Sequence, residues 1–325
     1  MKIGVLGGTR FIGPFVVRSL VREGHEVQVY HRGKTTCELP DGVTDVRIDR
    51  AVKGQTTAAL RAHRPQAIID MCAYTTEHVQ EVLDAELGLS QYVFCGSTSV
   101  YGRIGRSTPD ENAPLHPFSA YELGKVACEQ LLLSAHREQG FPVSILRLAH
   151  PYGPLDQLLY IDGRQSLFLD RMRRKRPILI PGEGDSRVHP VYVEDAAEAF
   201  VYAAGRPDFV GRILNLAGDE VLSLDEYFES IARALGKPLV ARHVPTAWFE
   251  ENVHLWAGQK RGFDFGATWC KYESAFDVKA LKATGFQFKT NHDKGVENTI
   301  AWLDQRGMIP ESSDDDLEDK VLKSI

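Results

Sequence analysis

The chain of 325 residues contains no apolar run approaching the ~18 residues that a membrane-spanning helix requires. It opens without a charged-then-apolar leader ending in a cleavage site, so no secretory signal is expected. Cysteine usage excludes a disulfide framework or a zinc site: Cys37, Cys72, Cys95, Cys128 and Cys270 are odd in number, scattered and nowhere at metal-like spacing. They read as reduced thiols of a cytoplasmic protein, and no metal is expected. A basic excess is also missing. With 38 Lys and Arg against 44 Asp and Glu, the net charge of −6 argues against a binder of phosphate backbones. What remains, 43% apolar and 25% charged residues, is the composition of a soluble globular chain long enough for one large or two modest domains.

The N-terminus carries the first positive signal. Lys2–Leu6 reads as a buried strand, Gly7-Gly8-Thr9-Arg10-Phe11-Ile12-Gly13 as a tight turn, and Phe15–Arg22 as an amphipathic helix. Strand, glycine turn and helix in this order bring backbone N–H groups and a helix N-terminus to face a pyrophosphate. Gly7, Thr9, Arg10, Phe11, Ile12 and Gly13 are therefore candidate cofactor-binding residues. A second strand, His25–Tyr30, ends in His31-Arg32-Gly33-Lys34, where no carboxylate is present to hold the ribose hydroxyls of NAD. His31 and Arg32, with Arg10 close by in such a fold, suit a 2′-phosphate, which favours NADP over NAD.

Further strands follow at Val46–Asp49, Ala67–Tyr74 with its exit loop, Gln91–Cys95 and Val143–Leu148, with helices at Thr57–His63 and Glu77–Ala85. Asp70, ending an apolar strand, is either a site residue or a cap for the next helix. The strand at Gln91–Cys95 delivers Gly96-Ser97-Thr98-Ser99-Val100-Tyr101-Gly102 to the carboxyl end of the sheet, where ligands bind in such folds. Tyr121 and Lys125 stand one turn apart on a helix that continues through Leu133, so their side chains share a face. An ammonium beside a phenol favours the phenolate, and such a pair can exchange a proton with a carbinol or carbonyl oxygen.

Taken together, Gly7-Gly8-Thr9-Arg10-Phe11-Ile12-Gly13, Ser97–Gly102, Tyr121 with Lys125, and Arg147-Leu148-Ala149-His150-Pro151-Tyr152-Gly153-Pro154 resemble the extended short-chain dehydrogenase/reductase superfamily, in its NAD(P)-dependent epimerase/dehydratase group. The resemblance implies an α/β fold: a Rossmann-type doubly wound parallel sheet with a smaller C-terminal α/β substrate-binding subdomain. It implies that residues 1–154, with re-entering segments about 188–218, form the dinucleotide-binding domain. Residues 155–187 and 219–310 then form the substrate subdomain, and 311–325 an acidic, mobile tail. By the same resemblance Ser97 is the catalytic hydroxyl, with Ser99 the alternative. Tyr121 is the acid/base, and Lys125 lowers its pKa and binds the nicotinamide ribose. Asp49 falls where the adenine amino group is bound, and Cys72 lies in the cofactor-facing exit loop.

Three departures bear on substrate. Arg10 replaces the middle glycine of the family turn, and its guanidinium could clasp a phosphate. His150 replaces an asparagine that contacts cofactor and substrate, as a substrate contact or as a neutral hydrogen-bonded histidine. Arg187 stands one residue from the arginine that binds a sugar nucleotide's diphosphate. The basic run Arg171–Arg176 reads as a solvated helix end. Trp248, Phe249, Trp256, Phe263, Phe265, Trp269 and Tyr272 either wall a substrate pocket or pack a core.

The loop Ser97-Thr98-Ser99 has no acidic pair of the kind dehydratases carry there, so an epimerase or reductase acting on a sugar or sugar nucleotide is favoured over a dehydratase. The alternative is a non-catalytic RNA-binding or regulatory protein. The opening turn and the stretches Leu214–Tyr227 and Phe276–Phe288 are similar to the chloroplast stem-loop-binding branch of the superfamily. Tyr121, Lys125 and the net charge argue against that alternative, so no nucleic-acid partner is expected. A homodimer through the helices after strands four and five follows from family habit.

Overall fold

A computed structural model describes the chain except residues 157, 161–162, 165, 253, 255–272 and 315. The strands are β1 (Lys2–Leu6), β2 (Glu26–His31), β3 (Thr44–Arg47), β4 (Ala67–Asp70), β5 (Gln91–Ser97) and β6 (Val143–Leu148), then β7 (Pro151–Tyr152), β8 (Leu159–Tyr160), β9 (Gly163–Arg164), β10 (Ile178–Pro181), β11 (Arg187–Val188), β12 (Val191–Tyr192), β13 (Ile213–Leu216), β14 (Leu222–Ser223) and β15 (Ala241–Val244). The helices are α1 (Gly13–Arg22), α2 (Gln55–His63), α3 (Thr76–Leu83), α4 (Ala120–Gln139), α5 (Leu167–Arg173), α6 (Val193–Ala203), α7 (Leu224–Ala234), α8 (Thr246–Glu251), α9 (Lys279–Lys282), α10 (His292–Gln305) and α11 (Leu317–Leu322).

Every residue of β4 and β5 is buried, as strands covered by helices on both faces must be. Seven strands form one parallel sheet in the order β13-β6-β5-β4-β1-β2-β3. Leu20 and Val17 of α1 and the small face of α6 pack on one side; Leu60 of α2, Val79 and Val82 of α3, and Cys128 and Leu132 of α4 pack on the other. From β1 the chain steps outward to β2 and β3, then returns to place β4, β5 and β6 on the opposite side. That reversal opens a crevice at the carboxyl ends of β1 and β4, where an α/β sheet takes its ligands. The short pairs β10–β15 and β11–β14 lie outside the main sheet. No helix among the described residues is long and apolar enough to cross a membrane.

Three expectations are corrected. The residues after Asp316 are not a solvated acidic segment. Residues after Asp316 form α11, with Leu317 and Val321 buried and Asp316 capping the helix. The basic run at the end of α5 is its receptor. Arg171, fully buried, pairs with Asp316 and Asp319, and Arg176 pairs with Asp319. Opposite charge and apolar burial act together to withdraw Arg171 and Asp316 from solvent, while Arg174, Lys175 and Asp314 stay exposed. Asp70, in turn, does not cap α3, whose N-cap is Thr75. Of the aromatic stretch, Phe249 is buried and Trp248 packs against the core, whereas Trp256, Phe263, Phe265, Trp269 and Tyr272 lie outside the described residues.

Candidate active site

The glycine turn after β1 is tight for a steric reason. Gly7 takes a φ of 89°, and a Cβ there would stand 2.9 Å from Cys72 Sγ. A Cβ on Gly13 would overlap the Gly7 carbonyl oxygen, so the turn closes only with glycine at its end. Thr9 is buried, Ile12 enters the core, Phe11 adopts a φ of 55° and Arg10 is exposed. α1 begins here with no side-chain cap and no acidic residue in its first turn, leaving its positive end for an anion. These residues fit the pyrophosphate of a dinucleotide.

At the end of β2 the neighbouring strand contributes what β2 lacks. His31 Nε2 lies 2.7 Å from Asp45 Oδ1, and His31 Nδ1 accepts from Gly33 N–H at 3.2 Å. Arg47 bonds the same carboxylate at 3.0 Å. The Arg47 hydrogen bond is the main reason the Asp45 carboxyl sits below its usual range, with His31 adding to it. Arg32 is exposed beyond this cluster. Asp49 is half-buried and accepts from Ala51 N–H at 3.1 Å.

Sequence reasoning missed Arg50. Its guanidinium donates to Asp70 at 2.7 Å, to the His78 carbonyl at 2.8 Å and to Cys72 Sγ at 3.5 Å. Tyr92 donates to the other Asp70 oxygen at 2.7 Å. Burial opposes the charge on Asp70, yet Arg50 outweighs it and holds the carboxyl below its usual range. This buried ion pair sets the exit loop of β4, and with it Cys72, against Gly7. No local pattern signals it, because the partners meet only when β3 and β4 flank β1 and β2.

β5 brings Ser97 to the carboxyl edge of the sheet, where its hydroxyl accepts from Ser99 N–H at 3.2 Å and lies 2.8 Å from Ser99 Oγ. α4 brings the other two groups. Ser119 and Glu122 form a capping box, their reciprocal bonds fixing the first turn in which Tyr121 sits; the Ser-x-x-Glu spacing announces it. Lys125 is buried, and its ammonium donates to the carbonyls of Ala73 at 2.8 Å and Cys95 at 2.7 Å. That leaves one of three protons toward the site, with the Tyr121 ring centre 5.8 Å away. Tyr121 is half-exposed. Behind these groups Arg147 pairs with Glu129 of α4 at 2.8 Å and donates to Tyr101 Oη at 2.8 Å, which donates to Asn215 at 2.7 Å. One network ties the serine turn, α4 and β13.

The remaining candidates lie outside this cluster. His150 takes a φ of 32° and its ring lies 6.3 Å from that of Phe276. Arg187 is turned toward protein groups: Glu273 at 2.6 Å, Thr108 Oγ1 at 3.2 Å, and the carbonyls of Arg106 and Ser107 at 2.7 and 3.0 Å. It thereby fastens the loop after Gly102 to β11.

A family model, the NAD dependent epimerase/dehydratase family, matches residues 3–217. The chain is 30% identical over 250 residues to the chloroplast stem-loop binding protein of 41 kDa b of Arabidopsis thaliana, covering 73% of this chain and 64% of that protein, so it spans less than two thirds of that relative. It is 26% identical over 314 residues to 2′-dehydrokanamycin reductase of Streptomyces kanamyceticus, covering 95% and 86%. In fold it is similar to the UDP-glucose 4-epimerase of Thermus thermophilus solved with NAD, with a TM-score of 0.73 at 23% identity, covering 95% and 100%.

Proposed function

The chain belongs to the NAD dependent epimerase/dehydratase family, and from that premise we propose that it is an NAD(P)-dependent oxidoreductase acting at a secondary alcohol or ketone of a sugar or sugar nucleotide. The observation that carries the reading is the convergence at the end of β5: Ser97 on the strand, Lys125 bonded to the Cys95 carbonyl two residues upstream, and Tyr121 one turn before it on α4. In the oxidative direction the Tyr121 phenolate takes the hydroxyl proton of the bound alcohol. Ser97 donates to the same oxygen, its own oxygen already accepting from Ser99 N–H. Lys125 stabilises the phenolate. The nicotinamide supplies a reversible hydride acceptor at the carbinol carbon. Reduction runs the proton steps backwards, the phenol giving its proton to the carbonyl oxygen.

The absence of an acidic pair in Ser97-Thr98-Ser99 favours epimerase or reductase chemistry over dehydration. Arg10, Arg32 and Lys34, all exposed cations, support a preference for NADP, whose 2′-phosphate an exposed guanidinium or ammonium can bind. Fluorescence titration with NADH and NADPH, after analysis of any co-purified nucleotide, tests both points. NADPH is expected to bind more tightly. Arg32→Ala is expected to reduce that preference about tenfold, equivalent to ~1.4 kcal/mol, and Gly13→Trp to abolish binding of both. No binding of either at about millimolar concentration, some −4 kcal/mol, would sink the hydride reading. The likeness to the stem-loop binding protein would then direct the work to RNA.

A further inference from the structure

We propose that Tyr74 is a positioning residue of the Tyr121–Lys125 pair: its ring closes the Lys125 ammonium off from water, so that the charge acts on the Tyr121 phenol instead of being screened. The inference rests on the acid/base role given above to Tyr121. Among the described residues no carboxylate pairs with Lys125; two carbonyl dipoles hold it, and aromatic rings flank it. The ammonium lies 4.7 Å from the ring centre of Tyr74 and 4.9 Å from that of Phe94, both within cation–π range. Phe94 comes from inside the sheet, but Tyr74 is 46% exposed. Lys125, beneath this partly exposed ring, keeps 1% of its exposure.

The ring is placed there by its backbone. Tyr74 N–H donates to His78 Nδ1 at 3.2 Å, and the carbonyl of Ala73 just before it is the Lys125 acceptor. The Tyr74 carbonyl oxygen occupies the space that a Cβ at position 124 would need, so α4 approaches this loop only because Gly124 has none. Tyr74 and Tyr121 then stand side by side, ring centres 6.1 Å apart and tilted by 46°.

The other titratable groups around the ammonium do not compete for it. Burial pushes up the thiols of Cys72, Cys95 and Cys128 and the Tyr74 phenol itself, so all four stay neutral. Asp70 is held by Arg50 and Tyr92. Coulomb attraction between the ammonium and a phenolate scales inversely with the local dielectric, and admitting water where the ring now stands weakens it severalfold.

The test is a near-ultraviolet titration of phenolate absorbance on the full chain, comparing wild type with Tyr121→Phe, Tyr74→Phe, Tyr74→Ala and Tyr74→Leu, each checked for wild-type circular dichroism. Wild type is expected to show a phenol ionising below the ordinary tyrosine range that disappears in Tyr121→Phe. Tyr74→Phe keeps the ring and should retain that transition. Tyr74→Ala and Tyr74→Leu should raise it by about one pH unit. An unmoved transition in the Ala and Leu variants overturns the role of Tyr74 while the Tyr121–Lys125 pair stands; so does a shift in Tyr74→Phe as large as in Tyr74→Ala. If wild type has no such transition, the acid/base reading of Tyr121 fails and takes this inference with it.

Discussion

Glu129 and Arg147 lie 18 residues apart in the chain, and each alone would read as an ordinary surface charge. Folding buries both: Glu129 keeps 2% and Arg147 3% of their exposure. Arg147 is further held by Tyr101 and by the Glu111 carbonyl at 3.2 Å. Removing one member of such a pair leaves the other charge buried without its counterion. Glu129→Gln is therefore expected to lower unfolding stability by about 3 kcal/mol, read as a shift of the urea midpoint at unchanged slope. A loss within the ~0.5 kcal/mol of a surface substitution would show that the pair is solvated in the native state. At this scale the placement of Tyr121, Lys125, Ser97 and the glycine turn was legible, because it depends on local spacing. Arg50 with Asp70, and the Asp45 carboxylate at the end of β2, were not, because each partner arrives on a different strand.

At the scale of elements, α4 starts where a Ser-x-x-Glu signal places it, and α7 likewise opens on a Ser223–Glu226 capping box. The boundaries of β3 lie two residues towards the N-terminus, at Thr44–Arg47, where the chain pairs with Gln28–His31 of β2. α11 is the element that composition misled. An acidic run next to the chain end reads as solvated, yet Leu317, Val321 and the buried Arg171 give it a seat. Ser312 adds two 2.7 Å bonds to Asp170 of α5. Truncation after residue 310 should strip Arg171 of its counterions and expose apolar surface, costing about 3 kcal/mol or more and lowering the thermal midpoint. A mobile tail would instead leave that midpoint unchanged, so a thermal melt of the truncated chain decides between the two.

For the molecule as a whole, two buried histidines are expected to contribute to the dependence of stability on acid. His189 lies 2.8 Å from the Gly218 carbonyl through Nε2 and accepts from Phe276 N–H at 3.2 Å. His292 stands between the rings of Tyr152 and Tyr227, and neither ring nitrogen has a hydrogen-bond partner among the described residues. Burial pushes both down to about 4. The folded pKa lies below the unfolded value near ~6.5, so the folded state excludes a proton that the unfolded state binds. Their contribution is fully present above that unfolded value and is lost as pH falls towards about 4, at up to ~1.4 kcal/mol per pH unit for each. His292→Phe, measured by urea unfolding at neutral pH and near pH ~5, should lose about 2 kcal/mol less than wild type across that interval. Equal losses would mean that His292 binds its proton in the native fold.

The sequence by itself determined the class of fold, the glycine turn after β1 and the one-turn spacing of Tyr121 and Lys125 on a helix, since strand–turn–helix order and one-turn spacing are local properties of a chain. Only the tertiary structure decided what those groups touch. The sheet reversal at β1 and β4 brought Arg50 to Asp70, α4 came down on Tyr74 through Gly124, and the basic end of α5 offered α11 a seat. Each is a contact between segments far apart in the chain, formed because a buried charge or ring needs a partner that its own neighbours cannot supply.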